Sequence, residues 1–155
     1  MSEKLPSHVY GVIVDIEGES LILPNSAVLD VFSHDVMTPR EDGPAWLLGQ
    51  LRLQIDDVPV VSLESMLGRS VPAIERKSRV VVLKAPSHNA SVALLARAYP
   101  LIVTLNEIAL QPAPLPSDDE AMHKLMLTAV QVANRRALVP DLDALVALAS
   151  RYIEA

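Results

Sequence analysis

The chain has 155 residues, half of them hydrophobic, and a formal net charge of −6. This length suits one domain or two small, tightly joined subdomains. The chain contains no cysteine, which excludes disulfide bonds, thiolate metal sites and cysteine nucleophiles. The negative charge and an aromatic content of 3% argue against a nucleic-acid surface, because such surfaces need cations and stacking platforms.

The hydrophobic residues are spread along the chain in short runs. None approaches the length of about 20 residues that spans a bilayer, and Met1–Pro6 lacks the apolar core of a signal peptide. We therefore expect a cytoplasmic protein with no direct membrane insertion. The combination of many aliphatic residues with 12 prolines and 5 glycines predicts short strands separated by frequent turns.

The first half of the chain predicts paired strands. Val9–Ile16 alternates as a half-buried strand does, and Leu21–Leu23 is a second strand that ends at Pro24. Asn25 is a candidate cap for one helical turn. The elements expected next are a polar loop over 35–44, a strand over 50–55, a tight turn at Asp56-Asp57, a strand over 58–61, and a short helix over 63–67 capped by Ser62 and ended by Gly68.

The polar segment Ser70–Ser78 is the best candidate for a joint between two halves. Strands are predicted after it over 79–84, 91–97, 101–105 and 136–139, with a loop over 86–89, an extended and exposed proline-rich segment over 111–119, and a turn at Asn134-Arg135. Ser117–Glu120 matches a capping box that predicts a helix, whereas the alternation after Leu125 favours a strand. Apolar residues from Leu142 to Ala149 at helical spacing predict an amphipathic helix capped by Asp141. These patterns together predict an all-β barrel or sandwich with few helices.

Residue patterns for catalysis or metal binding are weak. The histidines are too far apart in sequence to predict a zinc site, and we interpret them as exposed loop residues; they are His8, His34, His88 and His123. His34-Asp35 could form half of a hydrolase triad, but no serine is marked as its partner. The acidic run Asp118–Glu120 is interpreted as a solvated loop. We therefore predict no enzyme activity, no cofactor and no metal.

Two stretches resemble the CheW-like family of chemotaxis adaptors. Leu21–Val31 is similar to the family pattern of a strand, Leu-Pro, three residues, then Val and a short strand. Pro44–Leu63 is similar to its Pro-x-Trp-hydrophobic-x-Gly block, followed by a strand pair that ends in Val-Pro-Val-Val-Asp-Leu. A weaker likeness extends the resemblance to roughly 10–148.

The resemblance implies an all-β fold of two five-stranded β-barrel subdomains around a shared hydrophobic core, with a C-terminal helix. We expect a single CheW-like domain over 9–148, with approximate subdomains over 16–75 and 79–140. The resemblance also implies a non-enzymatic adaptor that couples a methyl-accepting chemoreceptor tip to the regulatory domain of a CheA-type histidine kinase. A divergent member could serve a specialised pathway, such as one controlling type IV pilus motility.

The chain departs from the family pattern at the hairpin after the tryptophan block. The family usually has Asn-Leu-Arg-Gly where this chain has Arg52-Leu53-Gln54-Ile55, so a glutamine replaces the arginine implicated in coupling. Gln54 lacks both the positive charge and the bidentate fork of arginine. Ser62 stands where the family has aspartate, and Arg97 where many members carry aspartate.

By resemblance, the receptor helix would lie in a groove between the subdomains. The predicted receptor-binding residues are Val28, Val31, Arg52, Gln54 and Ile55, with ordinary core packing as the competing interpretation for the valines. The kinase would bind through the second subdomain, at Tyr99, Pro100 and Leu101. Three alternatives stay open from the sequence: a small-ligand-binding β-barrel, a hydrolase using His34 or His88 with a serine, and an adaptor that binds only the kinase because receptor docking has been lost.

Overall fold

A computed structural model describes residues 9–87, 89–105, 110–132 and 134–152. These residues form twelve β-strands and three α-helices. The strands are β1 (Val9–Ile16), β2 (Glu19–Pro24), β3 (Val28–Ser33), β4 (Thr38–Pro39), β5 (Leu47–Leu53), β6 (Asp56–Val61), β7 (Arg79–Lys84), β8 (Ser91–Ala96), β9 (Leu101–Leu105), β10 (Leu110–Ala113), β11 (Met126–Val132) and β12 (Arg135–Pro140). The helices are α1 (Leu63–Met66), α2 (Glu120–Leu125) and α3 (Leu142–Ala149). The predicted all-β class with a C-terminal helix is confirmed.

The strands lie in two six-stranded mixed sheets rather than in two closed five-stranded barrels. One sheet, the first sheet, has the order β10-β11-β12-β2-β1-β9, and the second sheet has the order β3-β7-β8-β6-β5-β4. In each sheet the two edge strands are consecutive in the chain. Five residue steps reach at most about 18 Å, whereas the edges of a flat six-stranded sheet would be about 24 Å apart. Both sheets must therefore curve strongly.

The two sheets share one topology. If the chain is read from β9 through β12 and then β1 and β2, the strand order of the first sheet becomes that of β3 through β8 in the second. Each sheet has one parallel pair, β12 with β2 and β6 with β8. A helix follows the corresponding strand in both, since α1 follows β6 and α3 follows β12. Each sheet takes strands from both sides of residue 78, and the subdomain boundaries at 16–75 and 79–140 stay a prediction.

Both faces of the central strands are buried. In β7, Val81 and Leu83 belong to a core that includes residues from both sheets and all three α-helices. Val80 and Val82 point to the other face and pack inside the second sheet. Ile22 and Ala137 form the smaller interior of the first sheet. This arrangement explains why Val80–Leu83 is continuously apolar, because a strand covered on both faces has no polar side.

The helices tie each sheet to the other. The Glu64 carboxylate in α1 accepts a hydrogen bond of 2.7 Å from the backbone N–H of Glu17, in the turn between β1 and β2. In the corresponding position of α3, the Asp143 carboxylate accepts a hydrogen bond of 3.0 Å from the N–H of Ser87, between β7 and β8. Each helix therefore follows a strand of one sheet and holds a turn of the opposite sheet.

Both predicted hairpin turns lie too late in the chain. Leu53 pairs with Asp56, so Gln54-Ile55 forms the turn and Asp56-Asp57 begins β6. Val132 pairs with Arg135, so Arg135 begins β12 instead of lying in a turn. Polar residues misled the prediction in both hairpins, because a strand end that projects into solvent tolerates charges as readily as a turn does.

Helix starts were only partly predicted. Ser62 caps α1 and Asp141 caps α3, with their side chains accepting hydrogen bonds from Ser65 and Ala144. Asn25 does not cap its helical turn but is its first residue, and Pro24 stands before it. The helix that Ser117–Glu120 predicted is present as α2, but it starts at Glu120, so Ser117 is not its capping residue. The segment 111–119 is exposed or half-buried, and its first residues, Gln111–Ala113, pair with β11. The conflict after Leu125 is decided in favour of the strand β11.

Candidate docking groove

A surface cavity of about 660 Å³ lies between the β5–β6 turn, the β7–β8 loop and the end of α3. Its lining includes the turn residues Gln54 and Ile55 together with Lys84 and Ser150. Ile55 is 82% exposed, which is unusual for a large aliphatic side chain in a folded protein. We call this cavity the docking groove.

The β5–β6 turn holds the strained residue of the groove. Gln54 has a φ of 59°, the one positive φ among non-glycine residues in the described parts of the chain. A left-handed backbone costs an L-residue roughly 1–2 kcal/mol. The turn is therefore held by the pairing of its two strands, and it fixes the direction of the Gln54 side chain at the groove.

Leu29 is a groove residue that the sequence did not reveal. Strand β3 contains a register shift between Val28 and Asp30, so Leu29 is an extra residue in the pairing with β7. A bulge of this kind turns a side chain away from its expected face. Leu29 is 45% exposed and lines the groove together with the turn. The sequence signal for a bulge is too weak to separate Leu29 from its aliphatic neighbours.

The predicted receptor-binding residues divide into two groups. Gln54 and Ile55 lie together in the docking groove. Val28 and Val31 are half-buried and pack against the shared core. Arg52 is exposed on β5, where it is paired in register with Asp57 of β6.

The predicted kinase-binding residues lie at the start of β9, an edge strand of the first sheet. Tyr99 and Leu101 are 65% and 57% exposed, and Pro100 is buried. Two further exposed side chains belong to the same edge, Ile102 on β9 and Tyr10 on the neighbouring β1. An exposed apolar edge strand is a common place for another protein to dock.

The Pro-x-Trp-x-x-Gly block builds the scaffold beside the groove. The carbonyl of Trp46 accepts a 2.8 Å hydrogen bond from the N–H of Ser62, and the Trp46 ring packs edge-on against Tyr152, with centroids 5.4 Å apart. A side chain on Gly49 would place its Cβ 2.2 Å from the carbonyl oxygen of Thr38 on β4. Only glycine fits between β5 and β4 at this position, so this part of the sequence pattern has a steric cause.

One exposed ion pair shows a clear electrostatic effect. Arg40 donates a 3.0 Å hydrogen bond from Nε to Asp42 and a 2.7 Å bond from Nη1 to the carbonyl of Tyr152. The hydrogen bond from Arg40 lowers the pKa of Asp42 below its ordinary value, and Asp42 in turn raises the pKa of Arg40. The pair fastens the polar loop to the C-terminal turn.

The described residues contain no cluster of His, Asp and Glu that could hold a metal ion. His34 and Asp35 lie in a short 3₁₀ turn, and His123 is 3.8 Å from Asp118 on the surface. His8 and His88 lie outside the described residues. Aliphatic side chains fill the interior of each sheet, which leaves the surface grooves as the places for binding. No helix among the described residues is long and apolar enough to cross a membrane.

Known proteins resemble this chain in both sequence pattern and fold. The sequence matches the CheW-like domain over residues 10–150. The structure is similar to the crystal structure of the scaffolding protein TtCheW from Thermoanaerobacter tengcongensis, with a TM-score of 0.72, 15% sequence identity, and coverage of 92% of this chain and 90% of that chain. A comparison with curated proteins found no match. Membership of this family supports an adaptor or scaffold function and is consistent with a protein that catalyses no reaction. With the family pattern matched over nearly its whole length, the chain belongs to the CheW-like domain family.

Proposed function

We propose that this protein couples chemoreceptors to a CheA-type histidine kinase in a chemosensory pathway that controls type IV pilus motility. The receptor tip would lie in the docking groove, against Gln54 and Ile55. The regulatory domain of the kinase would bind the edge at Tyr99, Pro100 and Leu101. The observation that carries this proposal is the exposure of Ile55 at 82% and of Leu29 at 45%, in one groove formed by the β5–β6 turn, the β7–β8 loop and the end of α3.

The groove has the chemistry of a helix-binding surface. Its two exposed aliphatic side chains can take the apolar face of a helix, and Asp56, Asp57 and Lys84 give it a polar rim. Val28 and Val31 would contribute indirectly, because they hold β3 in place behind Leu29. Arg52 would contribute a positive charge next to the groove. The interface would be small, so we expect a dissociation constant in the micromolar range.

Separate binding assays with a receptor-tip fragment and with the kinase regulatory domain test the proposal. Ile55→Ser should weaken receptor binding about tenfold, since truncating a buried anchor at an interface typically costs 1–2 kcal/mol. Ile74→Ser is the matched control, because Ile74 is an exposed isoleucine in the connector away from the groove. Reversing the charge with Arg52→Glu should also weaken receptor binding.

Binding at the β9 edge is tested independently. Leu101→Ser should weaken kinase binding and leave receptor binding unchanged, with the exposed Leu127→Ser as control. Binding of the kinase domain without any receptor binding would support the kinase-only adaptor, the alternative motivated by Gln54. If neither partner binds the wild-type protein, the proposed function is wrong.

A further inference from the structure

The shared topology of the two sheets creates a second groove. The docking groove lies between the β5–β6 turn, the β7–β8 loop and the end of α3. The corresponding elements in the other half are the β11–β12 turn, the β1–β2 turn and the end of α1. A cavity of about 390 Å³ lies at this equivalent place, lined in part by Arg97, Arg135 and Arg136. We call it the basic groove.

The two grooves carry opposite charges at the same structural position. The strand after the docking-groove turn begins with Asp56-Asp57, and the strand after the basic-groove turn begins with Arg135-Arg136. Because these pairs are the first residues of topologically equivalent strands, the difference lies in the side chains and not in the backbone. A partner that fits one groove electrostatically is therefore disfavoured at the other.

Arg135, which lines the basic groove, and Arg69, which lies beside the lining residue Gly18, are both held tightly. Arg135 donates a 2.9 Å hydrogen bond to Asp15 and a further one to the hydroxyl of Ser20. Arg69, which follows α1, lies 3.2 Å from Glu19. Both distances are within the usual range for a hydrogen bond between nitrogen and oxygen.

The other two arginines are held loosely. Arg136 is 3.5 Å from Glu19, and Arg97 is 3.6 Å from Glu17. At these distances the hydrogen bonds are weak or absent, and the side chains are 40% and 57% exposed. Each guanidinium has five N–H donors in a fork that matches a carboxylate. Arg97 and Arg136 can therefore turn to an external carboxylate without breaking a strong internal contact.

We propose that the basic groove is a second docking site, which takes a carboxylate-rich segment of a partner protein. Three arginines and two carboxylates line it, an excess of positive charge in a chain whose net charge is −6. A polypeptide fits better than a nucleic acid, because the overall charge repels a phosphate backbone and the groove has no aromatic ring among its lining residues. This site does not depend on whether the docking groove binds a receptor.

Fluorescence anisotropy with a labelled oligoglutamate peptide tests the proposal. We expect the wild-type protein to bind the peptide, and the affinity to fall as the salt concentration rises. The double variant Arg97→Ala/Arg136→Ala should bind at least about tenfold more weakly, since two charge-assisted contacts are lost. The control Arg76→Ala/Lys77→Ala removes the same charge from the exposed connector and should bind as the wild type does.

Three outcomes would overturn the proposal. The first is wild-type binding no tighter than that of Arg97→Ala/Arg136→Ala. The second is an equal loss in the control variant, which would show that net charge alone governs binding. The third is tighter binding of an oligonucleotide of matched charge, which would assign the groove to nucleic acid. Circular dichroism of both double variants should match the wild type, because neither arginine in the test pair makes a short hydrogen bond to another side chain.

Discussion

Replacing Glu64 with alanine should weaken the attachment between the two sheets. Glu64 is 1% exposed, and each of its two carboxylate oxygens accepts a hydrogen bond. One oxygen accepts a 2.7 Å hydrogen bond from the N–H of Glu17, and the other accepts a 3.0 Å hydrogen bond from the hydroxyl of Ser62. The first bond connects α1 to the first sheet and the second connects it to the end of β6, so the side chain bridges two layers.

The expected loss follows from these two contacts. A hydrogen bond to a charged group contributes about 1.5–3 kcal/mol, and removing one partner leaves the other buried and unpaired. Burying a carboxylate also carries a desolvation penalty. The alanine variant no longer has this penalty, which offsets part of the loss. We expect Glu64→Ala to lower the free energy of unfolding by about 3 kcal/mol, which for a chain of this size lowers Tm by about 6–12 °C.

Urea and thermal unfolding measure the effect, with Glu64→Gln and Asp143→Ala as comparisons. Glu64→Gln keeps the volume and one acceptor oxygen, so we expect a loss of about 1 kcal/mol. Asp143→Ala should cost less than Glu64→Ala, because Asp143 is only partly buried. A loss below about 0.5 kcal/mol for Glu64→Ala, with an unchanged slope of the unfolding free energy against urea concentration, would refute the idea that this carboxylate holds the sheets together.

Two further predictions concern the scaffold beside the docking groove. Gly49→Ala should destabilise the fold by about 1–3 kcal/mol in urea unfolding, because the new Cβ must displace the Thr38 backbone. An alanine variant as stable as the wild type would contradict the steric explanation. Because the pKa of Asp42 is lowered, its pair with Arg40 stabilises the fold above the unfolded pKa, and this stabilisation is lost in acid as the pH falls through the folded pKa. A carboxyl titration by NMR should place Asp42 below 3.8 and move it back towards that value in Arg40→Ala; an unmoved midpoint would contradict this cause.

Some of the fold could be predicted from local sequence. The alternation of apolar and polar residues predicted β1, and continuous aliphatic residues predicted β7 and β8. The capping residues Ser62 and Asp141 predicted the starts of α1 and α3. These features depend on neighbouring residues alone, so the sequence carries them directly. The turns at Asp56-Asp57 and Asn134-Arg135 were misplaced because charge alone does not distinguish a turn from an exposed strand end.

The candidate sites could be predicted only in part. The residues Gln54 and Ile55 of the docking groove were predicted by resemblance, but Leu29 depends on a bulge in its pairing with β7. The basic groove was not predicted at all, because Arg97 lies far in sequence from Arg135 and Arg136, and only the fold brings them together.

The sequence by itself determined the local elements, the lack of cysteine chemistry and the likeness to one family. Only the tertiary structure decided that the chain folds as two topologically equivalent sheets. Each sheet is hydrogen-bonded to a helix that follows a strand of the opposite sheet. The physical reason is that Glu64 with Glu17, and Asp143 with Ser87, meet across 47 and 56 residues of chain. No local pattern encodes such a contact, because it exists only once both sheets have closed around their shared core.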